Sequence, residues 1–285
     1  MTGAWLAPAE RGCGWLAPSP NPFPQVVGGF LVTDELIYSV SDGVGVIVFN
    51  RPQARNALTW AMYDGLVRAV READADPLVR ALVVTGAGDK AFAAGTDIGQ
   101  FRSFSTPADA IGYERRIDDV LGVLEGCGKP VIAAIAGACI GGGAAIAACC
   151  DIRIAAPSAR FGFPIAKTLG NCLSMGNLAR LSALVGPARV KEMIFTARLV
   201  EAPEALAIGL VNEVAEDALV RALAVARQAA ANAPLTLRAT KAQLLKLRGV
   251  VEEDQALILS CYQSDDFREG MEAFLAKRPP VWRGV

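Results

Sequence analysis

The groups best placed to do chemistry in this 285-residue chain belong to its backbone rather than its side chains. The segment Ala93-Ala94-Gly95-Thr96-Asp97-Ile98 sets a glycine in a loop where the main chain can come close to a ligand. The segment Ile140-Gly141-Gly142-Gly143 falls where an apolar strand gives way to a helix. There the first N–H groups have no intrahelical partner, and the helix dipole favours negative charge. One amide from each segment can hold a developing oxyanion between them. Taken singly, each glycine cluster reads better as a plain tight turn; the case for a donor pair rests on the two together. The chain contains no histidine, which removes Ser-His-Asp and Cys-His nucleophile activation, HExxH zinc sites and imidazole acid–base catalysis. Proton transfer then falls to carboxylates, Lys, Tyr, Cys or hydroxyl groups. Glu114 and Asp118 stand at i, i+4 beside a helical apolar stripe, a spacing that suits a solvated face paired with Arg115 or Arg116.

The rest of the composition narrows the classes. With 53% hydrophobic residues the chain has ample core material, and 28 basic against 29 acidic residues leave no basic surface for nucleic acid. Seven cysteines (Cys13, Cys127, Cys139, Cys149, Cys150, Cys172 and Cys261) lack CxxC spacing and read as small buried hydrophobes of a reducing cytoplasm. No metal site is expected. Residues 131–150 are uncharged and long enough to cross a bilayer, but Pro130 and four internal glycines favour a buried strand, a glycine turn and a buried helix. Gly86-Ala87-Gly88-Asp89-Lys90-Ala91 fits a loose dinucleotide pattern without the helix that pattern requires.

The elements that must position these groups can be read from periodicity. Two short strands at 37–40 and 44–49 flank Ser41-Asp42-Gly43 as a hairpin, and 56–73 has helical spacing. Residues 80–85 and 131–137 read as buried strands, 108–125 and 144–150 as helices, and 152–155 and 210–214 as strands. A helix through Leu178, Leu181 and Leu184 ends at Gly186, and Pro187 opens the next. From Asp217 the pattern is almost wholly helical. The expectation is an α/β core followed by helices, with residues 1–33 a Pro/Gly-rich tail expected to be disordered, 34–215 the core and 216–285 a helical C-terminal region.

The motifs NRPQARNAL (50–58), KAFAAGTDI (90–98), KPVIAAIAGACIGGG (129–143), CDIRIA (150–155), ARFGFP (159–164), GLVNEV (209–214) and DDFREGMEAFLAKRPPVW (265–282) together resemble the enoyl-CoA hydratase/isomerase, or crotonase, family. The resemblance implies a crotonase-like spiral of β-β-α repeats whose C-terminal helical region serves trimerisation, giving a homotrimer or dimer of trimers. It implies an acyl-CoA substrate, coenzyme A being part of that substrate rather than a separate cofactor. Matching motifs place the oxyanion donors at Thr96 and Gly142. They place the CoA contacts at Ala54, Arg55, Ala94, Thr96, Asp97, Ile98, Gly142 and Lys277. One departure stands out: where hydratases of the family carry two glutamates, this chain has Ala145 and Ile165. Neither can transfer a proton, so classical hydration is doubtful. The resemblance leaves Glu114 and Asp118, on the helix after the first donor loop, as substitute acid–base candidates, with Tyr113, Lys167, Cys172 and Ser174 as further ones. Two readings follow: an enzyme that stabilises a thioester enolate with other acid–base groups, or an acyl-CoA carrier or regulator that has lost the chemistry. A non-catalytic partner subunit of an active homologue is a third.

Overall fold

The computed structural model describes residues 30–103, 107–168 and 170–249, together with 264–266, 269, 273, 276, 278 and 280–285. The chain begins with β1 (Phe30–Thr33), β2 (Leu36–Ser41) and β3 (Val44–Phe49), each antiparallel to the one before. The β2–β3 turn is the expected hairpin: Asp42 and Gly43 both take positive φ, as a two-residue turn matched to the strand twist requires. Next comes α1 (Trp60–Ala75), which starts later than the expected 56–73. Arg55 and Asn56 are both left-handed, and the buried Asn56 side chain accepts from Arg51 N and donates to the carbonyls of Ala87 and Ala91. Those bonds outcompete helical geometry, so the helix begins only after Thr59, whose hydroxyl caps Met62 N.

The middle of the chain supplies β4 (Ala81–Gly86), β5 (Ala91–Ala93), α2 (Pro107–Glu125), β6 (Val131–Ile135), β7 (Ala138–Ile140) and α3 (Gly142–Cys149). Here the single expected strand at 131–137 is two. β6 is buried throughout and joins a seven-stranded sheet, whereas β7 joins a separate four-stranded sheet. The break is at Gly137, where a Cβ would lie 2.2 Å from the Lys90 carbonyl oxygen at φ +62°. No hydropathy pattern marks that change of sheet, since the run is apolar on both sides. The glycine cluster itself opens α3, two residues before the expected start.

β8 (Ile152–Ala155), β9 (Arg160–Gly162), α4 (Met175–Thr196), β10 (Val200–Glu201), α5 (Ala202–Ala207), β11 (Glu213–Val214), α6 (Ala218–Ala230) and α7 (Pro234–Arg248) complete the described elements. α4 is broken at Gly186 (φ 78°, ψ 154°) before Pro187, as the sequence predicts. The strand expected at 210–214 pairs only over its last two residues. The large sheet runs β1-β2-β3-β4-β6-β8-β11 and the small one β10-β9-β7-β5. From β3 to β11 the large sheet is parallel, as crossovers of alternating strands and helices produce. One face packs on α1, α2 and α3 through Leu66, Val70, Leu121, Leu124 and Ile146. The other face, with Val83, Ile132 and Ile154, is covered by the alanine stripe Ala218, Ala222 and Ala226 of α6. Glu125 of α2 pairs with Arg180 of α4 and Arg248 of α7, which ties the three helices together, and its carboxyl is held below the usual range by those two guanidinium groups against the opposing effect of burial.

Among the described residues no helix is long and apolar enough to cross a membrane. The five described cysteines are free thiols, Cys172 alone being exposed. Burial pushes Cys127 up to about 11 and Cys149 up to about 12, so these two behave as packing residues.

Candidate active site

β5 and β7 are adjacent parallel strands of the small sheet, and each leads into one of the two glycine segments. After β5 the chain makes a bridge with Leu58: Leu58 N donates to Gly95 O at 2.8 Å, and Asp97 N donates to Leu58 O at 2.9 Å. That pairing uses the Gly95 carbonyl and the Asp97 N–H, on either side of Thr96, and leaves Thr96 N–H without an acceptor among the described residues. After β7 Gly141 turns at φ 52° and Gly142 becomes the first residue of α3. Its N–H likewise meets no acceptor among the described residues. Both residues line one cleft of about 200 Å³. The structure therefore brings the two residues expected as donors into one cleft, one at a helix N-terminus and one in a loop.

The cleft has an uneven lining. Ala145, Ile165, Phe163, Ile117 and Ile140 are apolar, so the positions where hydratase glutamates are expected stand in the wall as hydrocarbon. Glu114 is the one carboxylate among the described lining residues. It is half-buried and has no hydrogen bond or cation of its own among the described residues. Burial, reinforced by the charge of Asp118, raises its carboxyl above the ordinary glutamate value. Asp118 does not line the cleft: it accepts a 2.8 Å hydrogen bond from Ser174 Oγ, and Arg180 lies 4.0 Å away. Glu114 is the member of the pair that reaches the cleft. Asp118 helps to set its charge state. Arg116 stacks over Trp60 and pairs with Asp64, which takes care of the cation expected to neutralise the helix face.

Of the two tyrosines that hydrogen-bond to Thr96, sequence reasoning named Tyr113 as a candidate and missed Tyr63. Tyr63 Oη and Thr96 Oγ1 share a 2.8 Å hydrogen bond, and Thr96 Oγ1 and Tyr113 Oη share another of 3.1 Å. Tyr63 is wholly buried, and its hydroxyl is raised far above the ordinary phenol value, mainly by burial. Burial also raises Tyr113, which stacks edge-on against Trp60. Tyr63 sits on the apolar stripe of α1 and reads from the sequence as a plain core residue, with no local signal to reveal its partner.

The other expected residues are distributed as follows. Ala94 and Ile98 line the cleft. Asp97 turns away to accept from Arg51 at 2.7 Å and from Gly99 N at 2.9 Å. Ala54 and the exposed Arg55 lie outside this cleft, in the turn whose Arg55 carbonyl accepts from Ala94 N. Cys172 lines the cleft, Ser174 caps α4, and Lys167 is exposed. Lys277 lies outside the described residues, as do residues 1–29.

A spiral of parallel strands and helices, closed around an acyl-sized cleft with two unpaired amides, defines a crotonase-fold protein. The sequence profile described as enoyl-CoA hydratase/isomerase matches residues 39–285. A crotonyl-CoA hydratase of Syntrophomonas wolfei is 36% identical over 254 residues, covering 86% of this chain and 96% of that protein. A short-chain-enoyl-CoA hydratase of Clostridium acetobutylicum is 38% identical over 248 residues, covering 82% and 92%. The crystal structure of an enoyl-CoA hydratase/carnithine racemase from Magnetospirillum magneticum superposes with a TM-score of 0.83 at 36% identity, covering 89% of this chain and 97% of that one. The chain belongs to the enoyl-CoA hydratase/isomerase family.

Proposed function

We propose that the protein processes acyl-CoA thioesters by stabilising an enolate, with the thioester oxygen held by Thr96 N–H and Gly142 N–H and with Glu114 moving the proton. The supporting observation is the pairing, in one cleft, of two unpaired amides with a single desolvated carboxylate. The donors lower the energy of the enolate because they are already aimed and need not reorganise as charge develops. The raised carboxyl of Glu114 is a stronger base than a solvated glutamate would be, and its conjugate acid remains available to return the proton. Adding water across a double bond asks for a second group to handle the water, and the wall carries Ala145 and Ile165 where that group is expected. A single carboxylate fits the transfer of a proton from one carbon of the acyl chain to another. The reaction class we favour is therefore isomerisation, or another enolate reaction, rather than hydration. The same family reading carries assembly as a homotrimer or dimer of trimers and a cytoplasmic setting.

The apolar wall also supports a second reading, an acyl-CoA-binding protein without turnover. Exchange of the α-hydrogens of butyryl-CoA in deuterated water, followed by proton NMR, separates the two. An enzyme exchanges them, and Glu114→Gln slows the exchange by about 10²–10⁴-fold. Tight binding of butyryl-CoA with no exchange in the unsubstituted protein selects the carrier instead.

A further inference from the structure

We infer that Tyr63 is a positioning residue that locks the two oxyanion donors to each other, an inference resting on the enolate reading above. The argument begins with an isolated buried oxygen. Tyr63 Oη is inside the protein, 2.8 Å from Thr96 Oγ1, which is its one hydrogen-bond partner among the described residues. A phenol buried with one partner is held firmly, because losing that partner leaves an unsatisfied polar group in an apolar setting. The same oxygen abuts the second donor residue. A Cβ built on Gly142 would come within 2.5 Å of Tyr63 Oη and 3.1 Å of Thr96 Oγ1. One hydroxyl therefore bonds to the side chain of Thr96 and fills the space where a side chain at position 142 would stand, although the three residues come from α1, the loop after β5 and the start of α3.

The positions of the two amides are set by these contacts. Glycine at 142 leaves the space that Tyr63 Oη fills, and Thr96 offers a hydroxyl rather than a methyl at the point where that oxygen needs a partner. Tyr113, which lines the cleft, continues the chain of hydroxyls from Thr96 to the ligand side. The arrangement fixes the gap between the donors without contacting the reacting atoms. Its loss should therefore lower the rate of the chemical step and leave ground-state binding nearly intact, since a misplacement of well under an ångström already weakens transition-state contacts.

The test uses the full chain and Tyr63→Phe, which removes one oxygen and keeps the ring. The expected result is a fall in kcat for α-hydrogen exchange of about tenfold or more, with KM changed less than about twofold. A spectroscopic measurement reads the donors directly. Bound hexa-2,4-dienoyl-CoA should absorb at longer wavelength than the free thioester, because hydrogen bonds to its carbonyl polarise the conjugated chain, and Tyr63→Phe should lose part of that shift. A third variant guards against a general packing defect. Gly142→Ala should be more damaging in the unsubstituted protein than in the Tyr63→Phe background, where the hydroxyl that would collide with the new methyl is gone. If the unsubstituted protein shifts the spectrum and Tyr63→Phe retains kcat and the full shift, the role of Tyr63 is overturned while the enolate reading stands. If the unsubstituted protein binds the dienoyl thioester with no shift, the oxyanion assignment falls, and this inference falls with it. Additive effects of Gly142→Ala and Tyr63→Phe would also overturn it.

Discussion

The part of the cleft supplied by α2 and the loop after β5, backed by Tyr63 of α1, carries cross-linked polar groups: Tyr63, Thr96 and Tyr113 share hydroxyl hydrogen bonds, and Glu114 stands beside them with its charge felt at both phenols. The part supplied by α3 and the turn after β9 offers Ala145, Phe163 and Ile165, with no group that can give or take a proton. The same fold thus supports both a hydrogen-bonded wall and a hydrocarbon wall around one ligand space. The difference teaches that, on the proposed reading, proton transfer belongs to the helix that follows the first donor loop, because the facing wall offers only hydrocarbon at Ala145 and Ile165. The sheets are the same under either reading; what decides between them is whether the carboxylate on α2 acts.

The largest way to break this contrast is Glu114→Gln, which should reduce α-hydrogen exchange about 10²–10⁴-fold while the thioester still binds. A drop of only a fewfold would return the polar wall to a binding role. Next, Ile165→Glu puts a carboxylate into the hydrocarbon wall and should raise hydration of crotonyl-CoA, read by loss of enoyl absorbance, by about tenfold over the parent protein. No gain would mean that the apolar wall is not what withholds water chemistry. A smaller effect concerns pH. Glu114 must be ionised to act as base, and its carboxyl is raised by burial and by Asp118, so the rate should fall as pH falls through that raised value. Asp118→Asn removes the like charge, lowers the carboxyl and shifts the acid limb of the rate profile to lower pH, leaving the part of the elevation caused by burial. An unmoved acid limb would remove Asp118 from the tuning of Glu114. The smallest effect tests the support of the polar wall: Thr59→Ala deletes the cap of the helix that carries Tyr63 and should cost about 1 kcal/mol in denaturant unfolding.

Much of this architecture was legible in the sequence because its signals are local. The hairpin at Asp42-Gly43, the break at Gly186-Pro187 and the two glycine segments each depend on a few neighbouring residues. The proposed donor residues, Thr96 and Gly142, come from matching family motifs, and only at Gly142 does a strand-to-helix junction add an amide that must lack an intrahelical partner. The features that stayed hidden depend on distant partners. Asn56 delays α1 through bonds to carbonyls 31 and 35 residues away. Tyr63 meets Thr96 across 33 positions, and a tyrosine on an apolar stripe gives no hint of where its hydroxyl points. The change of sheet between β6 and β7 is invisible for a different reason: apolar residues suit a buried strand in either sheet, so composition carries no record of the switch. Glu114 and Asp118 were equivalent by spacing, and only the rotation of α2 against the cleft separates them.

The shared origin of the donor loops bears on how the protein can move. β5 and β7 are hydrogen-bonded neighbours, with Ala91 opposite Ala138 and Ala93 opposite Cys139. A rocking of the small sheet against the large one carries both loops in the same direction, as a common-mode displacement. The differential motion, which would widen the gap between Thr96 and Gly142, instead requires shearing that strand pair. The strand pair thus limits coarse separation of the two loops, like two prongs in one handle, and leaves to the Tyr63 contact the fine setting of the gap between their tips.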